Sequence, residues 1–163
     1  MALALALLSA LVYVNTLSNE FVGYDDQNLI ENNQSIRSLA PGSVAKMFIP
    51  RLRGNYQPIR TLSYAIDHAL WGLNPSGFHL TNILLHVAST LGVWLMLRRL
   101  FSKDTAFLAA IIFAVLPIHV ENIAWMSSRK DVLSIVFFLM AILLYEESFA
   151  RKRGWLYAVS LLG

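Results

Sequence analysis

Two neighbouring carboxylates, Asp25 and Asp26, stand a few residues beyond the first apolar run of the chain. Near a low-dielectric boundary such a pair repels itself and loses hydration, and both effects strengthen a carboxylate as a proton acceptor for general-base work. A solvated turn or a helix cap uses the same residues. A second set is His79, Asn82, His86 and Thr90. At helical spacing these four fall within an arc of roughly 80°, so they share one face. Such a face in a membrane helix points to the bundle interior or a wet cavity, either for function or as interhelical hydrogen-bonding glue. His79, at the outer end of its span, is the stronger functional candidate.

A third set, His119, Glu121, Arg129, Lys130 and Asp131, is packed between two apolar runs. His119 and Glu121, joined by Asp25 or Asp26, have ligand types that a divalent cation accepts, so a metal is possible there and none is assigned. Arg129 as a planar fork and Lys130 as a point charge suit a phosphate; snorkelling at the membrane boundary is the bland alternative. A fourth set lies in Asn55-Tyr56-Gln57-Pro58-Ile59-Arg60, where Tyr56, Gln57 and Arg60 can meet a sugar or phosphate, or begin a helix with Pro58 in its first turn.

The elements that must position these groups are membrane helices. The 163 residues are 56% hydrophobic and 14% charged, with mean hydropathy +0.54. Soluble domains carry about a quarter charged residues, and here the apolar residues are gathered into runs. Spans are expected at about 2–18, 78–97, 106–118 and 132–145, with the start of a fifth at 155–163. Nine residues are too few to cross a bilayer, so the reading expects the chain to be truncated there. Outer loops are expected at 19–77 and 119–131, with short interfacial helices near Gly42–Phe48 and Pro58–Leu70. Ile59, Leu62, Ile66, Ala69 and Leu70 recur at helical spacing in the second of these.

The absence of cysteine removes disulfides, thiolate metal sites and cysteine nucleophiles. No Gly-rich phosphate loop, Gly-x-Ser-x-Gly elbow or His-Glu-x-x-His pattern occurs. The net charge of +3 comes from clusters flanking apolar runs and calls for no nucleic acid. Arg98, Arg99 and Lys103 in one turn and Arg151–Arg153 in another point to the cytoplasm, with the N-terminus cytoplasmic and loop 19–77 outside. Arg129 and Lys130 violate that rule and need a local reason, such as an anionic partner.

Taken in order, several stretches resemble one family. They are Asn19-Glu20-Phe21-Val22-Gly23-Tyr24-Asp25-Asp26, Tyr56-Gln57-Pro58-Ile59, the run from Leu70-Trp71-Gly72-Leu73-Asn74-Pro75 to Leu84-Leu85-His86, Pro117-Ile118-His119-Val120-Glu121-Asn122-Ile123-Ala124-Trp125, and Ser128-Arg129-Lys130-Asp131. The set resembles the N-terminal membrane region of the tetratricopeptide-repeat O-mannosyltransferases, relatives of the protein O-mannosyltransferases. Gln57 stands where their pattern has arginine, and Leu116 where it has histidine. The resemblance implies an all-α integral membrane fold, a polytopic helical bundle of GT-C type. It implies transfer of a sugar, typically mannose, from a polyprenyl-phosphate carrier to a protein or other hydroxyl acceptor, with inversion. Asp25 or Asp26 is then the base, and the donor and its phosphate fall to Tyr56, Gln57, Arg60, His79, Asn82, His86, His119, Glu121, Arg129 and Lys130. The expected setting is a bacterial inner membrane, or the endoplasmic reticulum in a eukaryote. A non-catalytic lipid-linked-sugar binder, a transporter fragment or a degenerate relative is the alternative.

Overall fold

The computed structural model describes residues 1–50 and 56–161. Asn55 and residues 162–163 of the fifth apolar segment lie outside the described residues. Among the described residues the structure is helical throughout, and its long apolar helices make it an integral membrane protein. Helix α1 (Ala2–Tyr13) continues as a 3-10 turn to Ser18. A π-helical turn (Gln27–Glu31), a 3-10 turn (Gln34–Ile36) and the short α2 (Pro41–Met47) follow. Then come α3 (Pro58–Trp71), α4 (Pro75–Leu100) and α5 (Lys103–Val115). Short α6 (Val120–Ala124) lies between two 3-10 turns, before α7 (Arg129–Arg151) and α8 (Gly154–Ser160).

Local chemistry sets these boundaries. Asn74 accepts the Ser76 N–H at 3.1 Å, with Pro75 in the first turn, where its missing N–H costs nothing. Ser102 caps α5 through Thr105 N at 3.2 Å. The third apolar run differs from the expected 106–118: α5 stops at Val115, and the chain bends by 49° into the segment Pro117–Ala124. The cause is Pro117, which lacks an N–H and holds Leu116 in an extended conformation (ψ 126°).

Pro75–Leu100 and Met126–Arg151 are each long and apolar enough to cross a membrane, and the bent pair Lys103–Val115 with Pro117–Ala124 makes a third candidate. Ala2–Ser18 is a shorter apolar helix. α4 and α7 run in the same direction: Asn82 and Arg129 meet at one end, and Arg99 meets Glu146 (3.0 Å) and Glu147 (3.3 Å) at the other. α1 runs against α4, since Leu5 packs with Trp94 and the Leu17 carbonyl accepts from Ser76 Oγ at 2.7 Å. Small residues allow this closeness: Ala106, Ala110 and Ala114 form a fully buried stripe on α5, and Gly92 of α4 leaves room for the Leu139 side chain of α7.

α3 has its polarity turned over. Its buried positions are Arg60, Tyr64, Ala65 and Asp67, while Ile59, Ile66, Leu70 and Trp71 are exposed. A helix with that pattern sets its polar side on the bundle and its apolar side toward lipid. It turns into α4 at Gly72, whose φ of +64° is one that side-chain-bearing residues rarely adopt. At Gly77 an added Cβ would lie 2.6 Å from Trp71 Cβ and 2.3 Å from its Cγ. Gly77→Ala is therefore expected to destabilise the fold by about 1–3 kcal/mol through overpacking. Gly42→Ala, which meets nothing within 4 Å, is expected to be neutral or stabilising by up to about 1 kcal/mol. Thermal midpoints in detergent or nanodiscs compare the two.

Candidate functional site

At the end of the bundle where α3, α4 and α7 meet, Arg129 is completely buried. It is ion-paired to Asp67, donates from Nε to Asn82 Oδ1 at 2.7 Å and from Nη2 to the Phe78 carbonyl at 2.8 Å, and reaches Ser63 Oγ at 3.4 Å. Its guanidinium lies 4.7 Å from the Tyr64 ring centroid and 5.7 Å from that of Phe78. Asp67 in turn accepts from Thr81 Oγ1 at 2.7 Å. Burial pushes the Asp67 carboxyl above the usual carboxylate range, while the Arg129 guanidinium and the Thr81 hydroxyl pull it back. This guanidinium, expected from sequence to grip a donor phosphate, is instead committed to protein partners, because an arginine in so dry a site must spend its donors there.

Asp26 is equally committed. It is fully buried, accepts the Val22 N–H at 3.0 Å and the Ser127 N–H at 3.1 Å, and also takes the Ser127 hydroxyl. Asp25 beside it is exposed. The two acids thus part company: one ties the start of the long loop to the turn before α7, and the other stays open to solvent.

His79, Asn82, His86 and Thr90 are all buried. Asn82 bridges Arg129 and the Ile123 carbonyl (3.1 Å). His86 Nε2 lies 3.1 Å from the Ala114 carbonyl, with the ring edge-on to Tyr13 at 5.0 Å and 5.5 Å from His119. Asn82 and His86 therefore act as interhelical ties rather than open ligand groups. His79 lies beside Asp26 and against the backbone of Asn19. His119 packs on Phe113 (4.5 Å), and Glu121 is exposed. Among the described residues no three His, Asp or Glu side chains gather to hold a metal ion.

A cavity of about 560 Å³ opens between the start of α3 and the N-terminal half of α7. Gln57, Arg60, Lys130 and Asp131 form its polar part, and Leu133, Phe137, Phe138 and Ala141 its apolar part. Arg60 Nε and Gln57 Oε1 are shut from solvent without a hydrogen-bond partner among the described residues. Tyr56 is directed elsewhere, its hydroxyl donating to the Phe48 carbonyl at 2.9 Å.

Asp67, Tyr64, Ser63, Thr81 and Ser127 do not stand out from the sequence alone. One signal was present: Arg60, Ser63, Tyr64 and Asp67 recur at helical spacing opposite the apolar stripe of α3. An arginine placed against the charge rule at 129 called for just such an acid.

Asp67→Asn leaves the Arg129 charge buried and uncompensated. It is expected to destabilise the bundle by about 3–5 kcal/mol, whereas Asp67→Asn combined with Arg129→Met recovers much of that loss; chemical denaturation of the three variants measures it. Burial also raises the Tyr64 phenol from 10.0 to about 12, with its O–H donating to the Met126 carbonyl at 2.8 Å. A folded-state value above the unfolded one means the contribution is complete below pH 10 and vanishes as pH rises through about 12. Alkaline melting curves of wild type and Tyr64→Phe are expected to converge across that window.

The dolichyl-phosphate-mannose-protein mannosyltransferase family matches residues 59–163. The human protein O-mannosyl-transferase TMTC2 is 36% identical over 172 residues, covering 94% of this chain and 20% of that protein. Human TMTC1 is 36% identical, covering 90% of this chain and 18% of its own length. Tmtc1 of Drosophila melanogaster is 34% identical, with 89% and 18% covered. The chain thus spans about a fifth of the length of these curated relatives. No solved structure matches it. From α3 through α8, Arg129 with its acid and the α3–α7 cavity included, the chain belongs to the dolichyl-phosphate-mannose-protein mannosyltransferase family.

Proposed function

We propose that the chain forms the donor-binding and base-bearing end of a membrane glycosyltransferase. This enzyme moves mannose from a polyprenyl-phosphate carrier to a hydroxyl of a protein, in line with its family and with what its relatives are named for. The observation that carries the reading is the two-part cavity between α3 and α7. Its polar end offers Arg60 and Lys130 to a phosphate. The Arg60 guanidinium and the Gln57 amide in its wall supply donors for a phosphate oxygen and an acceptor for a sugar hydroxyl. Its apolar part follows α7 toward the membrane interior through Leu133, Phe137, Phe138 and Ala141, a course that suits an isoprenoid tail.

Asp25 is the base in this scheme. The Ser127 N–H and hydroxyl, donating to Asp26, hold the backbone beside Asp25 against the turn before α7, and Lys130 in the first turn of α7 lines the cavity. Asp25 takes the proton of the acceptor hydroxyl as that oxygen attacks the anomeric carbon, on the face opposite the departing phosphate. Inversion follows. Arg60 and Lys130 steady the charge gathering on the phosphate oxygens. The basic residues of the α4–α5 and α7–α8 turns favour a cytoplasmic position for that end, which sets the cavity and Asp25 on the far side of the membrane.

Asp25→Asn is expected to lower mannose transfer from a polyprenyl-phosphate mannose to a serine/threonine peptide by at least about 100-fold with an unchanged thermal midpoint. Asp26→Asn is expected to lower the midpoint itself. Arg60→Ala with Lys130→Ala is expected to weaken binding of a short-chain polyprenyl phosphate. Transfer by Asp25→Asn at the wild-type rate would overturn the assignment of the base. Unchanged lipid-phosphate binding by the double variant would overturn the assignment of the cavity.

A further inference from the structure

At the opposite end of the bundle the charges are unevenly neutralised. Arg99 lies between Glu146 and Glu147, and Arg151 is held by Glu147. Lys152 and Arg153, the next two residues, are exposed and have no ion-pair partner among the described residues. The backbone turns there with Lys152 at φ 50°, the one non-glycine residue with positive φ among the described residues. Its amide N–H bonds back to the Phe149 carbonyl, and that of Arg153 to the Ser148 carbonyl.

The turn encloses a second concavity, of about 390 Å³, lined by Ser148, Phe149, Lys152, Arg153, Gly154 and Tyr157. One rim is aromatic: Tyr145 packs on Phe149 at 4.9 Å and on Tyr157 at 6.1 Å. Two free cations beside aromatic rings, at the end of a membrane-spanning helix, match the two halves of a phospholipid at the interface. The cations suit the phosphate, and the rings suit the glycerol and the first methylenes.

We propose that the α7–α8 corner is a binding site for an anionic phospholipid, which its phosphodiester headgroup enters between Lys152 and Arg153 while its chains lie along Phe149 and Tyr157. The site is remote from the α3–α7 cavity and independent of sugar transfer. Glu146 and Glu147 are taken up by Arg99 and Arg151, so the corner retains positive charge that a bilayer supplies with counter-charge.

The test is native mass spectrometry of the protein released from nanodiscs of phosphatidylcholine with phosphatidylglycerol. Wild type is expected to retain phosphatidylglycerol in preference to phosphatidylcholine. Lys152→Ala with Arg153→Ala is expected to reduce that retention roughly tenfold or more. Lys152→Arg, which keeps charge and turn, and Arg151→Ala, which removes a cation already paired, are expected to retain it. Equal retention by the double variant and wild type overturns the proposal, as does wild-type retention that ignores headgroup charge. Displacement of the lipid by inorganic phosphate alone also overturns it, because the rings would then contribute nothing. A double variant with a lowered thermal midpoint is judged by Lys152→Arg, whose loss of lipid would overturn the proposal as well.

Discussion

A guanidinium sealed from water fixes the geometry of the end of this bundle where α3, α4 and α7 meet. Stripping hydration from an arginine is costly, and the penalty is offset only when each of its nitrogens meets an acceptor. Arg129 achieves this by drawing on α3 through Asp67 and Ser63, and on α4 through Asn82 and the Phe78 carbonyl. Three helices thereby acquire a single register. Tyr64 strengthens the tie, since its ring faces the guanidinium and its hydroxyl holds the turn before α7.

The adjacent acids show how position outweighs residue type. Asp25 and Asp26 are chemically alike, yet one is drawn into the protein by two backbone N–H groups and a serine hydroxyl, while the other remains in water. A similar contrast separates Arg129 from Lys130. The buried cation ties the helices together, and Lys130, exposed one residue on, lines the cavity with Arg60.

The sequence made the helices legible where apolar runs were long and bounded by proline, asparagine or arginine, as at Pro75–Leu100. It also showed the shared face of His79, Asn82, His86 and Thr90, because helical periodicity is a local property. The division of labour among the charged groups was not legible. Ser127 lies 101 residues from Asp26, and no local pattern announces a pairing of that kind. The bend at Leu116 was within reach, since Pro117 marks it, but the apolar run through Ile118 read as one unbroken span.

The overturned polarity of α3 ties the chemistry to the bilayer itself. With Ile59, Ile66, Leu70 and Trp71 facing outward and Arg60 lining the cavity, the helix offers its apolar side to lipid while its other side sets one wall of the α3–α7 cavity. A change in bilayer thickness or lateral pressure would act on that wall directly. Cavity shape and membrane mechanics thereby share one fourteen-residue lever.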